Sequence, residues 1–490
     1  MGPSSATAES SLALAGADHE LTERALRAAV ARARRTGRPT LVSVACRLPH
    51  DTDPCEVAIA SRRPGESWFA FEQPQRGATA LAALGEAAAI EARGARRFES
   101  VTARWRELTA DAIFACTEGA APSGALALGG FAFAEEGGAS PEWGSFAPAS
   151  LTVPEIALTR RCEGTGLPAG LGCGVHMILS ALAAPDDTAE ELLQRLTTRV
   201  AELRHAPLPL LDPAPVGRVQ VSSPMPPEHY EAAVARAVEL IGAGQLEKVV
   251  LAREVQVHAP GAHDPGAVFG ALREEFPSCF TFCVGRGEAT FVAASPELLL
   301  RREGRRVSTL ALAGSTRRSA DPAVDAHLGE RLLRSEKDRE EQAIVARRIE
   351  RALHPHALWV AATPEPTLVR VANIQHLATP IRAQLARPLD ATELLALMHP
   401  TPAVGGEPIA RAAPLIPALE GLDRGWYAGP VGWTDASGDG EFCVALRCAL
   451  LRANVARCYA GVGVVRDSDP AAELAETEIK LAALLPLLSS

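Results

Sequence analysis

Residues 432–480 (GWTDASGDGEFCVALRCALLRANVARCYAGVGVVRDSDPAAELAETEIK) decide the fold. Strand-like runs at 429–434, 441–451 and 455–465 are separated by short turns rich in Gly, Asp and Asn. Turns that short join antiparallel neighbours, because a parallel crossover needs a dozen or more residues. The turn Asp467-Ser468-Asp469-Pro470 then supplies an N-cap and a first-turn proline for a helix expected over 470–485. Hairpins followed by a helix predict a mixed α/β protein with largely antiparallel sheets.

The same alternation extends toward the N-terminus. A long helix is expected over 321–353, with Leu328, Leu332, Ile344 and Ile349 as its apolar stripe. The runs 279–284 and 290–294 read as a hairpin, 247–257 as a strand and 228–241 as a helix. A proline-dense stretch, 205–227, then marks a boundary. Before it, helices are expected at 20–35, 78–92 and 187–204, and strands at 40–45, 56–60, 67–71, 124–134, 142–146 and 151–155. Residues 1–20 are small and polar, an expected disordered lead-in. The organisation is thus a lead-in at 1–20, an N-terminal half at 21–205 and a motif-dense part at 228–490.

Composition bounds the function. With 47% hydrophobic and 22% charged residues, the 490-residue chain is globular rather than disordered. It carries 49 Lys+Arg against 59 Asp+Glu and has no basic block, which argues against nucleic acid as a partner. No apolar run approaches the roughly 18 residues of a membrane span, and the polar N-terminus lacks the positive region of a secretory signal. A cytoplasmic location is expected. The ten cysteines are dispersed without a CxxC pair and read as small buried hydrophobes. Of the 49 basic residues only Lys248, Lys337 and Lys480 are lysines. Arginine substitutes for lysine on a surface, but not where a compact ammonium or a neutral amine is needed.

Several residues could carry chemistry. Asp338 and Glu341, and likewise Glu473 and Glu476, are spaced to share a helix face. If the two faces met they would form the oxygen-only donor set that Mg2+ prefers, whereas apart they are solvated acidic faces. Lys248 opens an apolar strand, where burial favours the neutral amine. Lys480 follows the second carboxylate pair, and Lys337 suits a structural ion pair. Arg447, embedded in FCVALRCALL, requires a carboxylate from the protein or from a ligand. Gly314-Ser315 offers a backbone N–H and a hydroxyl, while Gly461 and Gly463 mark a strand approached closely by something. Glu297 is a lone acid before three leucines, and His376 and His399 read as core or turn histidines.

Together these segments resemble the chorismate-utilising enzymes, most closely those that isomerise chorismate to isochorismate. The carrying residues are EKVVLAR (247–253), FVAASPELLLRREGRRVSTLALAGSTRR (291–318), SEKDREEQ (335–342), HLATP (376–380), HPTPAVGG (399–406), GWTDASGDGEFCVALRCA (432–449) and YAGVGVVRDSDPAAELAETEIK (459–480). The resemblance implies a single α/β body with two facing, mainly antiparallel β-sheets, outer helices and an active site between the sheets. It implies Lys248 as the general base that activates water toward C2 of chorismate, and Glu297 as the general acid for the C4 hydroxyl. It implies Mg2+ held by Glu341 and Glu476 with Asp338 and Glu473, and substrate held by Gly314, Ser315, His376, Arg447, Gly461 and Lys480. A monomer acting on chorismate without a glutamine amidotransferase is expected. Salicylate synthase, an isomerase that also releases pyruvate, is the alternative, and a non-catalytic chorismate-binding module is the rival from another class.

Overall fold

The computed structural model describes residues 12–14, 16–75, 79–117, 124–162, 173–212 and 216–489. Residues 1–11 and 15 of the expected lead-in, and Pro213 and Pro215 of the proline-dense stretch, lie outside them. The helix Ala17–Thr36 begins within the stretch expected as lead-in.

Among the described residues two sheets form, one of 13 strands and one of 10. The larger runs from Gln220–Ser222 through Lys248–His258, Val455–Val464, Cys448–Arg452, Ala289–Ser295 and Phe280–Gly287 to Gly65–Gln73 and the remaining N-terminal strands. The smaller runs from Ala357–Ala362 through Ile374–Leu385, Arg306–Arg317, Leu298–Glu303, Gly440–Val444 and Pro430–Asp435 to Leu126–Phe131 and its neighbours. Each sheet is therefore a block of strands from the proline-dense stretch onward joined edge to edge with a block from before it. Thr40–Leu48 pairs in parallel with Ile113–Cys116, and the other pairings are antiparallel.

Strand periodicity sorts side chains into two cores. On Gly65–Gln73, Phe69 and Phe71 enter a core shared with Leu126, Leu128 and Phe442 of the other sheet. Trp68 and Ala70 point the opposite way, into a core shared with Leu26 and Ala29 of Ala17–Thr36 and with Leu192 of Ala189–Ala201. The first core therefore lies between the sheets and the second between the larger sheet and its outer helices.

Five sequence expectations are corrected. The alanine-rich 78–92 run forms two strands, Thr79–Leu84 and Ala88–Ala92, rather than a helix. Thr79–Leu84 is buried on both faces between paired strands, and Gly85, at φ +73°, makes the turn. Burial in a sheet overrides alanine's modest helix preference. Residues 56–60 belong to the helix Pro54–Ser61, whose N-cap Asp53 accepts from the Cys55 and Glu56 N–H groups. Residues 142–146 overlap a 3-10 turn, Pro141–Trp143, rather than forming a strand. The expected 321–353 helix is two, Pro322–Arg334 and Glu336–Leu353, because Ser335 ends the first and caps the second. The 441–451 strand is also two, Gly440–Val444 in the smaller sheet and Cys448–Arg452 in the larger. The sequence reading also missed the helix Arg97–Ala110. No helix among the described residues is long and apolar enough to cross a membrane.

Candidate active site

The two sheets are joined at residues 445–447, where the chain leaves Gly440–Val444 for Cys448–Arg452. The reversal places Arg447 in the left-handed region, at φ +46°, a conformation that costs a non-glycine residue roughly 1 kcal/mol or more. Arg447 is thus not a strand residue, as its apolar setting suggests, but the hinge of a crossing. It faces a cavity between the sheets that is also lined by Glu297, Gly314, Ser315, Glu341, His376, Gly461, Glu476 and Lys480. Val250, Leu312, Ala403, Val404, Tyr427, Leu446 and Tyr459 supply the apolar part of its wall.

Lys248 starts the strand Lys248–His258 and is fully buried (0% exposed), with its backbone paired to Glu407. Its Nζ lies 2.8 Å from Glu341 Oε1, an ion pair at the edge of the cavity. A Cβ on Gly463 would overlap both Glu341 Oε1 and Lys248 Cε. The close approach that Gly463 announces is therefore made by these two side chains, and the one at Gly461 by the Tyr427 hydroxyl.

Glu297 sits between Ala289–Ser295 and Leu298–Glu303. Its N–H donates to Ser295 Oγ, and its carbonyl accepts from the Val444 N–H. Burial pushes its carboxyl up to about 8, against the pull of Arg447, Lys248 and Lys480. Glu297 is consequently protonated near neutral pH, an acid able to donate.

Gly314 occupies a bulge in Arg306–Arg317, where the register to Ile374–Leu385 shifts between Ala313 and Ser315. It sits at φ +71°, and a Cβ there would press on Asp338 at 3.0 Å. The bulge aims Ser315 Oγ at Glu476 Oε1, 2.5 Å away. Lys480 Nζ contacts the same oxygen at 2.9 Å and donates to the Gly461 carbonyl at 2.9 Å. Burial alone would raise the Glu476 carboxyl, but Lys480 and Ser315 hold it below the ordinary glutamate range. His376 Nδ1 lies 3.3 Å from the Gly314 carbonyl, and its Nε2 lies 2.6 Å from Arg447 Nη2. A guanidinium can only donate, so Nε2 accepts and Nδ1 carries the proton. Burial, then Arg447 and Lys480, keep this imidazole neutral well below the usual histidine range.

The helices Glu336–Leu353 and Pro470–Leu481 bring the two carboxylate pairs to one side of the cavity. Glu341 and Glu473 are buried, so these are not solvated faces. Burial raises Asp338 above the usual aspartate range, and the charges of Glu341 and Glu476 add to it. Glu473 is raised by burial too, with Lys337 Nζ at 2.8 Å from its Oε1 opposing. The donors are all carboxylate oxygens under mutual repulsion, which fits a hard divalent cation in chemistry. In the described conformation three lysine side chains pair with them, and among the described residues no three His, Cys, Asp or Glu side chains converge to hold a metal.

Sequence reasoning missed part of the wall. Buried Arg424 donates to the Val404 and Val250 carbonyls at 2.8 and 2.9 Å and pairs with Glu420. It ties the 399–406 loop to the Lys248 strand and stacks over Phe133. Its sequence setting, with Asp423 beside it and Glu420 four residues earlier, lacks the apolar flanks that singled out Arg447. Tyr427 and Tyr459, stacked 5.3 Å apart, carried no comparable signal. His399 is a core histidine, pushed down to about 3 by burial and Arg97, with Nε2 on the Phe133 carbonyl.

Comparison with known proteins adds relatives to this geometry. The family described as chorismate binding enzyme matches residues 26–489. The salicylate biosynthesis isochorismate synthase of Pseudomonas aeruginosa is 36% identical over 462 residues, covering 94% of this chain and 93% of the relative. An isochorismate synthase of Bacillus subtilis is 31% identical, covering 88% and 89%. Among solved structures, the menaquinone-specific isochorismate synthase of Escherichia coli superposes with a TM-score of 0.75 at 26% identity, over 95% of this chain and all of the other.

Proposed function

The chain belongs to the family of chorismate-binding enzymes, and from that premise we propose that it is an isomerase converting chorismate to isochorismate. The observation that carries this reading is a buried carboxyl, Glu297, raised to about 8 beside Arg447 and facing the same cavity that Lys248 borders. A base on one side and a protonated acid on the other suit displacement of one hydroxyl by another.

Lys248, as the amine, takes a proton from water as its oxygen bonds to C2. The ring double bond shifts, the C4–oxygen bond breaks, and Glu297 gives its proton to the departing hydroxyl, which leaves as water. One water enters and one leaves, so the product is an isomer. Arg447, held by His376, and Lys480 face the substrate carboxylates as donors. Val404 and Tyr427 close the cavity on its apolar side.

Glu341 and Glu476 would hold Mg2+, with Asp338 and Glu473 assisting. A bound Mg2+ would supply positive charge to offset a substrate carboxylate in an acidic pocket. The support for the metal is the donor chemistry alone. The proposal also takes the enzyme to be a cytoplasmic monomer, and its lack of need for a glutamine amidotransferase is supported by Lys248, which serves water rather than ammonia.

Incubation with chorismate and Mg2+, followed by NMR of the products, tests the reading. Isochorismate without pyruvate is expected. Stoichiometric pyruvate would make the protein a salicylate synthase, consumption only with ammonia an amino-transferring enzyme, and binding without turnover a non-catalytic module.

A further inference from the structure

In a chain with only three lysines, each lysine pairs with one of the clustered carboxylates: Lys248 with Glu341 at 2.8 Å, Lys337 with Glu473 at 2.8 Å and Lys480 with Glu476 at 2.9 Å. Their freedom to leave differs. Lys248 is sealed, and Lys480 is also fixed by the Gly461 carbonyl. The side chain of Lys337 remains 36% exposed, while its partner Glu473 is 2% exposed.

Lys337 lies in the first turn of Glu336–Leu353. The helix dipole there favours an acid, so a cation needs compensation from elsewhere. Glu473, on another helix, provides it. Burial would lower the lysine's proton affinity, but the hydrogen bond and charge of Glu473, then Glu341 and Asp338, raise it above the ordinary value. Glu476 feels its charge as well.

We propose that Lys337 is the resident counter-ion of the carboxylate cluster, holding it together without metal and swinging to solvent when a divalent cation enters. This rests on the Mg2+ assignment above. Lys337 thereby sets the metal affinity, because the cation must displace a charge already neutralising its ligands. A neutral side chain removes the competitor, and a guanidinium keeps it.

Calorimetric titration of the full chain with Mg2+, at one pH and without substrate, tests the exchange. Lys337→Gln should bind Mg2+ about threefold or more tightly than the parent, the scale of a half-exposed ion pair. Lys337→Arg should bind no more tightly than the parent. If Lys337→Gln lowers the metal-free melting temperature, Mg2+ should raise it further than it raises the parent's. Unchanged or weaker Mg2+ binding by Lys337→Gln, or an equal rise in melting temperature, overturns the proposal. A Glu476→Gln control separates the failures. Binding that depends on Glu476 but not Lys337 sinks the counter-ion alone, whereas a parent that binds no Mg2+ sinks the metal assignment and the exchange together.

Discussion

In the proposed reaction Lys248 and Lys480 differ in what their nitrogens must do. A base has to shed its proton, and a guanidinium does not. Lys248→Arg should therefore lose about 10²–10⁴ in kcat/KM, the usual worth of a general base. Lys480 acts as a fixed cation on Gly461 and Glu476, so Lys480→Arg should keep turnover and mainly raise KM. Steady-state kinetics on both variants under saturating Mg2+ checks the contrast, and an active Lys248→Arg enzyme would falsify the base assignment. Glu297 gives a pH prediction of definite sign. Its carboxyl is raised by burial to about 8 in the folded protein, from roughly 4.3 in an unfolded chain. The folded state holds the extra proton between these values. The associated stability is complete below about pH 4 and is lost as pH rises through about 8. Glu297→Gln, neutral throughout, should gain melting temperature relative to the parent as pH is raised from about 5 to 9, while losing nearly all activity. A pH-independent melting difference would show that the carboxyl is not held neutral.

At the scale of elements, one helix and two strands meet at Gly463, where only a hydrogen fits beside Glu341 and Lys248. Gly463→Ala should displace that pair and cost activity well out of proportion to stability, measured as kcat/KM beside the melting temperature. An equally active variant would mean that the pair is not held against this strand. The glycine was legible as a close approach, but its neighbours were not, because they come from about 120 and 215 residues away along the chain. Elements with a local cause were legible. Thr188 caps Ala189–Ala201 by accepting the Glu191 N–H, and the hairpin of Phe280–Gly287 with Ala289–Ser295 follows from alternation. The misread elements were decided at a distance. The 79–84 alanines are strand because strands flank them on both sides, and 441–451 divides because its halves pair in different sheets. The motif residues around the cavity were singled out by spacing and setting and received their roles through resemblance to a family, whereas Arg424, whose partners are two backbone carbonyls and Glu420, needed the fold.

At the scale of the whole molecule, the proline-dense stretch is a crossing rather than a seam. Phe280–Gly287 pairs with Gly65–Gln73, and Pro430–Asp435 with Leu126–Phe131, so the motif-dense part completes neither sheet alone. Expressed by itself, 228–490 would expose one open edge in each sheet, at Phe280–Gly287 and Pro430–Asp435, and part of the inter-sheet core. It should fail to show cooperative thermal unfolding, and a folded fragment that binds chorismate would contradict this. The cavity depends on both sheets, since Arg447 marks the passage between them and Glu297 accepts across the same junction. The central claim is that this junction delivers solvent water to C2 while Glu297 releases the C4 oxygen. The most direct measurement is mass spectrometry and NMR of isochorismate formed from unlabelled chorismate in H2(18)O. The account predicts one 18O atom per product molecule, located on C2, whereas unlabelled product would mean that the original hydroxyl migrates, and would contradict it.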